Sequence, residues 1–539
     1  MTEQHAVGTE VDVVIVGAGF AGLYALHLLR ERGFKTRTFD AASDVGGTWF
    51  WNRYPGARCD VESLDYSYSF SNAIQQEWKW SERYATQPEI LNYINFVADR
   101  LDLRPHISFN TQVKSATFDD ERSRWLIETN TGEHVSAKFC ILATGNLSLP
   151  RVPEFPGLEA FQGEWYHTGL WPHEGVDFSG KRVGLIGTGS SGMQITPFLG
   201  EQAKQLFVFQ RTANYALPAG NRPLTPEQLA DRKKNYPAMR DYARSTPVGV
   251  ASYVFPQKSA LEEDEAAVRE KFEFHWNDGG ANISLLSAYT DIMTDKDAND
   301  RLGRLVREKI HTIVKNPVTA ELLCPNDHYI GTKRLPLESG YFETFNRSSV
   351  QLVNVRADPI VKLTATGLQT EADHFELDAI VFATGFDAMT GALQDIDIRG
   401  VGNLRLAEKW KDGPKTFLGL MTSGFPNMFI ITGPGSPSVK TNMVIHIEQH
   451  VEWVDQCISY MTNKGHKRID ADPEQEEKWV EHVNQVADST LFPLANSWYT
   501  GANIPGKPRV FMPYVGGFHL YRDKCNQIAE QGYEGFSLV

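Results

Sequence analysis

Two stretches of this chain carry glycines spaced to bring a backbone against a phosphate. Gly17-Ala18-Gly19-Phe20-Ala21-Gly22 follows an apolar run at 11–16, and Gly187-Thr188-Gly189-Ser190-Ser191-Gly192 follows a second run at 181–186. In a G-x-G-x-x-G turn the first glycine permits the bend, the second lets a pyrophosphate approach, and the third packs the next helix on the strand. The anion then faces the positive end of that helix. The strands that follow end differently. Thr36-Arg37-Thr38-Phe39 closes on Asp40, 18 residues past Gly22, where a carboxylate suits a ribose 2′-hydroxyl. Leu206-Phe207-Val208-Phe209-Gln210 closes on Arg211-Thr212, with Arg211 19 residues past Gly192, where a cation and a hydroxyl suit a 2′-phosphate. A glycine-rich turn in any α/β protein and a solvated strand-end arginine are the plainer readings, and the contrast between Asp40 and Arg211 argues against them. Opposite 2′ preferences in one chain imply electron flow between two cofactors, FAD at the first site and NADPH, its reductant, at the second.

The elements needed to hold these motifs are legible around them. The run at 11–16 suits a strand buried on both faces, with helix continuing over 24–32, and a second helix begins at Met193-Gln194-Ile195. Phe139-Cys140-Ile141-Leu142-Ala143-Thr144-Gly145 and Asp378-Ala379-Ile380-Val381-Phe382-Ala383-Thr384-Gly385 each read as an apolar strand ending in Ala-Thr-Gly, marking crossings between two nucleotide folds. The expected fold is α/β, with two Rossmann-like domains, the second inserted in the first. FAD would take 1–150 and 386–539, NADPH 151–220 and 330–385, and a helical subdomain 221–329 would shape a substrate entrance. In that subdomain Thr225-Pro226-Glu227-Gln228 reads as a capped helix start, Pro237 is expected to end or kink the helix, and 260–274 and 299–314 read as further helices.

At 539 residues the chain exceeds one ordinary core, since domains run to about 100–200 residues. With 53 Lys and Arg against 67 Asp and Glu, the net charge of −14 provides no global attraction to nucleic acid or an anionic bilayer. The five cysteines, at 59, 140, 324, 457 and 525, form no C-x-x-C pair, which argues against zinc, a thioredoxin-type centre or a disulfide framework and fits a reducing cytoplasm. The first 29 residues hold no Lys or Arg and include Glu3, Glu10 and Asp12, so a secretory signal is not expected.

Just upstream of the second glycine motif, Phe161-Gln162-Gly163-Glu164-Trp165-Tyr166-His167-Thr168-Gly169-Leu170-Trp171-Pro172 resembles a known fingerprint. The Baeyer-Villiger monooxygenases carry Phe-x-Gly-x-x-x-His-x-x-x-Trp followed by Pro or Asp at this place, and Phe161, Gly163, His167, Trp171 and Pro172 match it position by position. Gly46-Gly47-Thr48-Trp49-Phe50-Trp51-Asn52-Arg53-Tyr54-Pro55-Gly56-Ala57-Arg58-Cys59-Asp60 is similar to the same family's longer signature. The likeness continues through Gly331-Thr332-Lys333-Arg334-Leu335, the loop Gly433-Pro434-Gly435-Ser436-Pro437, and Trp498-Tyr499 with Gly501-Ala502-Asn503, so it spans essentially the whole chain. The length of the loop at 433–443 resembles the phenylacetone and steroid monooxygenase branch. Two departures stand out: Asp40 where many relatives carry glutamate, and Lys440 in an otherwise small and apolar loop, which leaves the preferred ketone open.

The resemblance implies FAD, bound tightly without a covalent link and reduced by NADPH. O2 then adds at the flavin C4a carbon, the peroxyflavin attacks a ketone, and the tetrahedral adduct rearranges to an ester or lactone; sulfides are a further substrate class. It implies Arg334 as the catalytic cation, suited by a pKa above about 12, with Asp60 as its carboxylate partner. On the FAD side it implies Gly17, Gly19, Phe20, Ala21, Gly22, Asp40, Gly47, Thr48, Trp49, Tyr54, Asp60, Tyr66, Val113, Thr144 and Gly145. On the NADPH side it implies Gly187, Thr188, Gly189, Ser190, Ser191, Gly192, Gln194, Arg211, Thr212, Lys333, Arg334 and a mobile-loop Trp498. Phe161, Gly163, His167 and Trp171 would couple domain movement to the site, with a structural histidine as the plainer reading of His167. Ser438, Val439, Lys440 and Met443 would border the substrate pocket. No metal, nucleic acid, membrane or obligate protein partner is expected, only a small ketone and O2.

Three other classes compete. An N- or S-oxygenating monooxygenase is the alternative, to be separated by product analysis, and Trp171-Pro172 argues against it. A flavin or disulfide reductase would need a cysteine pair or a protein partner. A flavin-binding sensor would have no use for a second, 2′-phosphate-selective site.

Overall fold

The strand Thr9–Val16 lies at the heart of an eight-stranded sheet, with Val13, Val14 and Ile15 wholly buried, as a strand covered on both faces requires. This computed structural model describes residues 9–280 and 282–539, so Glu3 lies outside the described residues. The sheet runs Asp397–Arg399, Val113–Asp119, Arg124–Thr129, His134–Leu142, Thr9–Val16, Thr36–Phe39, Ile107–Ser108, with Met428–Ile430 also paired to His134–Leu142. Its central pairs are parallel, and only Arg124–Thr129 pairs antiparallel with its two neighbours. A second, five-stranded sheet is parallel throughout, in the order Val350–Asn354, Gln205–Gln210, Arg182–Ile186, Ala379–Phe382, Glu164–His167. The fold is thus α/β with two Rossmann-like sheets, each carrying one glycine motif at the end of a central strand.

The two motifs are built alike because the same steric constraint acts in both. A Cβ on Gly22 would fall 1.8 Å from the Gly17 carbonyl oxygen, and one on Gly192 would fall 2.1 Å from that of Gly187. The helices Phe20–Glu31 and Ser190–Gln202 therefore start inside the glycine motifs, pressed against the turns. Each Ala-Thr-Gly segment runs on from a strand and lies against the first glycine of its motif, Ala143 against Gly17 and Ala383 against Gly187. Beyond them the two crossings meet: the Arg151 N–H donates to the Gly385 carbonyl at 2.9 Å and the Asp387 N–H to the Leu149 carbonyl at 2.9 Å.

The helical insertion differs from expectation in two places. The helix Pro226–Arg244, capped by the expected Thr225 and Gln228 box, continues past Pro237 instead of ending there. Proline cannot donate to the carbonyl four residues earlier, and the Gln76 side-chain amide supplies that bond to Lys233 at 2.9 Å. The run at 260–274 is split, because Asp264 caps a fresh helix, Glu265–Asp278, with its carboxylate accepting from the Ala267 N–H at 2.9 Å. Phe272, Leu302 and Val306 of the insertion share one apolar cluster with Val183, Leu185 and Val381 of the second sheet.

The motif geometry predicts a contrast between two glycines. Gly192→Ala should lower unfolding stability by about 2–3 kcal/mol or more in a denaturant titration, because backbone must move. Gly189→Ala, whose Cβ would meet nothing within 4 Å, should leave it unchanged within about 0.5 kcal/mol. Equal losses would show that the third glycine is not a packing constraint.

Candidate functional site

Both glycine-motif helices begin without a side-chain cap, at Gly19 and Gly189, and neither has an acidic residue in its first turn. Their leading N–H groups are thus left for an external anion. On the first side Gly19 and Gly47 face each other so closely that a Cβ on Gly47 would lie 2.9 Å from the Gly19 Cα. Asp40 is buried and accepts from the Ala18 N–H at 2.5 Å and the Ala42 N–H at 2.7 Å, one on each oxygen. Burial pushes its pKa up, against the pull of those two bonds. The Trp49 indole donates to the Tyr66 hydroxyl at 3.2 Å, and Phe20 packs edge-on to Tyr66. Thr48 is exposed, Thr144 and Gly145 are half-buried, and the Val113 side chain belongs to the sheet's core.

On the second side, the strand end carries Arg211, exposed, beside Thr212. The Thr188 hydroxyl donates to the Thr212 carbonyl at 2.9 Å, which leaves the Thr212 hydroxyl to accept from Arg356 at 3.1 Å. Arg356 also donates to Asp327 at 2.8 Å. Lys333 joins this group; burial lowers its pKa, Asp327 opposes, and Arg211 and Arg356 lower it further. Three cations around one carboxylate make a site with surplus positive charge, as a 2′-phosphate requires. Arg356 was invisible in sequence, since it belongs to no motif and reaches Thr212 across 144 residues.

The two sides are joined by polar contacts. The Tyr54 hydroxyl donates to the Gln194 carbonyl oxygen at 2.7 Å, and the Gln194 amide donates to the Arg58 carbonyl at 3.0 Å. Gln194, expected on NADPH, here spends its side chain holding the second fold's helix against the 46–60 segment. That segment ends at Asp60, which accepts Nε of Arg334 at 2.9 Å and Nη2 of the same guanidinium. Nη1 of Arg334 donates to the Val439 carbonyl at 3.1 Å. Burial alone would lower the Arg334 pKa, but Asp60 and then Tyr499 outweigh it, so the cation is held firmly. The structure thus gathers Asp60, Arg334, Val439 and Tyr499, which lie far apart in sequence, into one junction.

Around this junction Ser438 is fully buried at a positive φ of 45°, and its hydroxyl accepts from Asn146 at 2.8 Å instead of facing outward. Asn146 also donates to the Thr432 hydroxyl at 3.2 Å, tying the first crossing to the 433–443 loop. Met443 opens the helix Met443–Lys464 and stays half-buried, and the Lys440 ammonium lies over the rings of Phe492 and Tyr499 at 4.1 and 4.7 Å. Trp498 is half-buried against Tyr499. Its loop is pinned to the second crossing, with Asn503 donating to the Phe386 carbonyl at 2.7 Å.

In the fingerprint, Phe161 and Trp171 are buried, and Gly163 lies where a Cβ would meet the Asp378 carbonyl at 2.5 Å. His167 is 1% exposed; Nδ1 accepts the Gly169 N–H at 3.0 Å, so the ring proton is on Nε2, 3.2 Å from the Thr384 hydroxyl. That hydroxyl donates to the Arg151 carbonyl at 2.6 Å. His167 therefore bridges the two inter-domain crossings as a neutral ring, its pKa brought down to about 4 chiefly by burial. Its folded pKa lies below the unfolded one, so it contributes stability that is present above the unfolded pKa and lost as pH falls toward about 4. Denaturant unfolding between neutral pH and that value should show about 3 kcal/mol less acid loss in His167→Gln than in the natural protein. Identical pH slopes would remove His167 from that role.

No helix among the described residues is long and apolar enough to cross a membrane. Residues 10–222 match the family described as flavin-binding monooxygenase-like. The chain is 43% identical to a Baeyer-Villiger monooxygenase of Pseudooceanicola batsensis, over 98% of this chain and 96% of that protein. It is 41% identical to phenazine N-monooxygenase PhzNO1 of Lysobacter antibioticus, over 98% and 97%. Among solved structures it is similar to an oxidized steroid monooxygenase bound to NADP, at 52% identity and a TM-score of 0.94, covering 98% of this chain and all (100%) of that one. With identity sustained from end to end, and with both glycine motifs, the fingerprint and the Arg334 motif in register, the chain belongs to the Baeyer-Villiger monooxygenase family of flavoproteins.

Proposed function

We propose that this protein is an FAD-containing, NADPH-dependent monooxygenase that converts ketone, O2, NADPH and a proton into ester or lactone, NADP+ and water. The observation that carries the reading is the two-pronged Arg334–Asp60 pair at the meeting point of both nucleotide folds and the 433–443 loop. The residues fit both cofactors. Gly17, Gly19 and Gly22 with Asp40 and the uncapped helix would hold the FAD pyrophosphate and ribose; Gly189 with Arg211, Thr212, Lys333 and Arg356 would hold NADPH. When bound, FAD supplies electron transfer from NADPH and activation of O2.

Addition to a ketone carbonyl places negative charge on its oxygen. Arg334 offers a cation that does not give up its proton, and Asp60 fixes its plane while accepting two of its donors. Tyr499, buried beside Arg334, would help to keep bulk water from the junction and so limit unproductive release of hydrogen peroxide. The five free, buried cysteines accord with action in a reducing compartment such as the cytoplasm. N-oxygenation has one observation in its favour, the phenazine N-monooxygenase relative. Against it stands the fingerprint through Trp171-Pro172.

The test is incubation of FAD-loaded protein with NADPH and, in turn, phenylacetone, cyclohexanone and levulinate, with products resolved by gas chromatography; ester or lactone is expected, benzyl acetate in the case of phenylacetone, and NADPH consumption with hydrogen peroxide alone for all three would overturn the reading. Arg334→Ala should leave FAD bound and reducible while ester formation falls at least about 100-fold, roughly 2.7 kcal/mol. Normal ester yield would remove Arg334 from catalysis. Arg211→Ala should cut the NADPH-over-NADH preference in kcat/KM by at least about tenfold, roughly 1.4 kcal/mol. An unchanged ratio would place the 2′-phosphate elsewhere.

A further inference from the structure

Lys440 is a cation without an anion. Among the described residues the charged group that acts on it is another cation, Arg334, and no carboxylate offsets either burial or that repulsion. Asp60, the carboxylate of the junction, is already committed to Arg334 through both oxygens. What Lys440 does have is two aromatic faces, Phe492 at 4.1 Å and Tyr499 at 4.7 Å. Cation–π contacts of this kind return less than burying an unpaired ammonium costs. The residue is half-buried rather than sealed in the core. It follows Val439, whose carbonyl accepts from Arg334, so the backbone next to Lys440 is tied directly to the guanidinium.

We infer that Lys440 forms a carboxylate-binding subsite beside Arg334, and that the ketones this protein prefers carry a carboxylate. This rests on the function proposed above and names its substrate class. Arg334 would face the carbonyl oxygen, where charge develops on addition, and Lys440 the carboxylate, so the ligand supplies the counter-ion that Asp60, held by Arg334, does not. Phe492 and Tyr499 would hold the ammonium in place while the ligand is absent.

The inference has a pH signature with a fixed sign. Burial, then Arg334, brings the Lys440 pKa down to about 7 in the ligand-free site. The groups facing it are Arg334 with Asp60 behind it, and Tyr499, whose hydroxyl is held neutral by burial; His446, on the adjoining helix Met443–Lys464, is neutral with a pKa of about 3. The ammonium is therefore present below neutrality and lost above it, while a bound carboxylate pulls its pKa back up. Preference for the anion must fall as pH rises.

The experiment compares levulinate with methyl levulinate, a keto acid and its neutral ester, on FAD-loaded protein. Calorimetric Kd values are measured at about pH 6.5 and about pH 8.5, and product formation with NADPH is followed in parallel. In the natural protein the Kd ratio should favour levulinate by at least tenfold at the lower pH and shrink at the higher one. Lys440→Met should lose that ratio, and Lys440→Arg should keep it while abolishing its fall with pH. A ratio that Lys440→Met leaves unchanged, or that never favours levulinate, overturns the inference whether or not oxygenation occurs. Absence of oxygenated product from levulinate, methyl levulinate and phenylacetone alike would instead overturn the proposed function, leaving the binding ratios to decide the subsite.

Discussion

Everything near the junction depends on keeping a half-buried guanidinium charged and oriented. Burial works against Arg334, and the structure meets that cost with one carboxylate gripping two donors and one backbone carbonyl gripping a third. Asp60 comes from the segment after the first glycine motif, Arg334 from the return of the helical insertion, and Val439 from the loop before a helix beginning at Met443. The site therefore exists only when both nucleotide folds and the 433–443 loop are docked. That explains why so much of the surrounding polar chemistry goes into docking: Gln194 between Tyr54 and Arg58, Asn146 between Ser438 and Thr432, and His167 with Thr384 and Arg151 across the two crossings.

The electrostatics divide along the same lines. On the first nucleotide side a buried carboxylate is stitched to backbone N–H groups of its own motif. On the second, Arg211, Arg356 and Lys333 crowd around Asp327 with charge to spare. Opposite signs at equivalent strand ends are what one fold, used twice, would need to discriminate two dinucleotides. His167 stands apart from this economy: a neutral, buried ring whose hydrogen bonds define its tautomer is a brace between chain crossings rather than a proton carrier.

Much of this architecture was legible in the sequence because it rests on backbone constraints that glycine spacing exposes. Gly22 and Gly192 must lack a side chain, and the strands before them must be apolar on both faces, so the two Rossmann-like units could be read directly. Asp60 and Arg334 were legible only through resemblance, since nothing local tells a residue at 60 that its partner lies at 334. Arg356 and Asn146 escaped altogether: Arg356 comes from a segment without a motif, and Asn146, one residue past Gly145, works through tertiary contacts with Thr432 and Ser438. Pro237 misled for the same reason in reverse: its helix survives on a bond from Gln76, which no local rule contains.

The central claim is that the junction around Arg334 directs an atom of O2 into a carbonyl compound. Running the FAD-loaded protein with NADPH and phenylacetone under 18O2 tests this most directly, with the isotopic content of the organic product read by mass spectrometry. The account predicts an ester carrying one 18O atom per molecule, formed in step with NADPH oxidation. Unlabelled phenylacetone recovered intact, with labelled hydrogen peroxide matching the NADPH consumed, would contradict it.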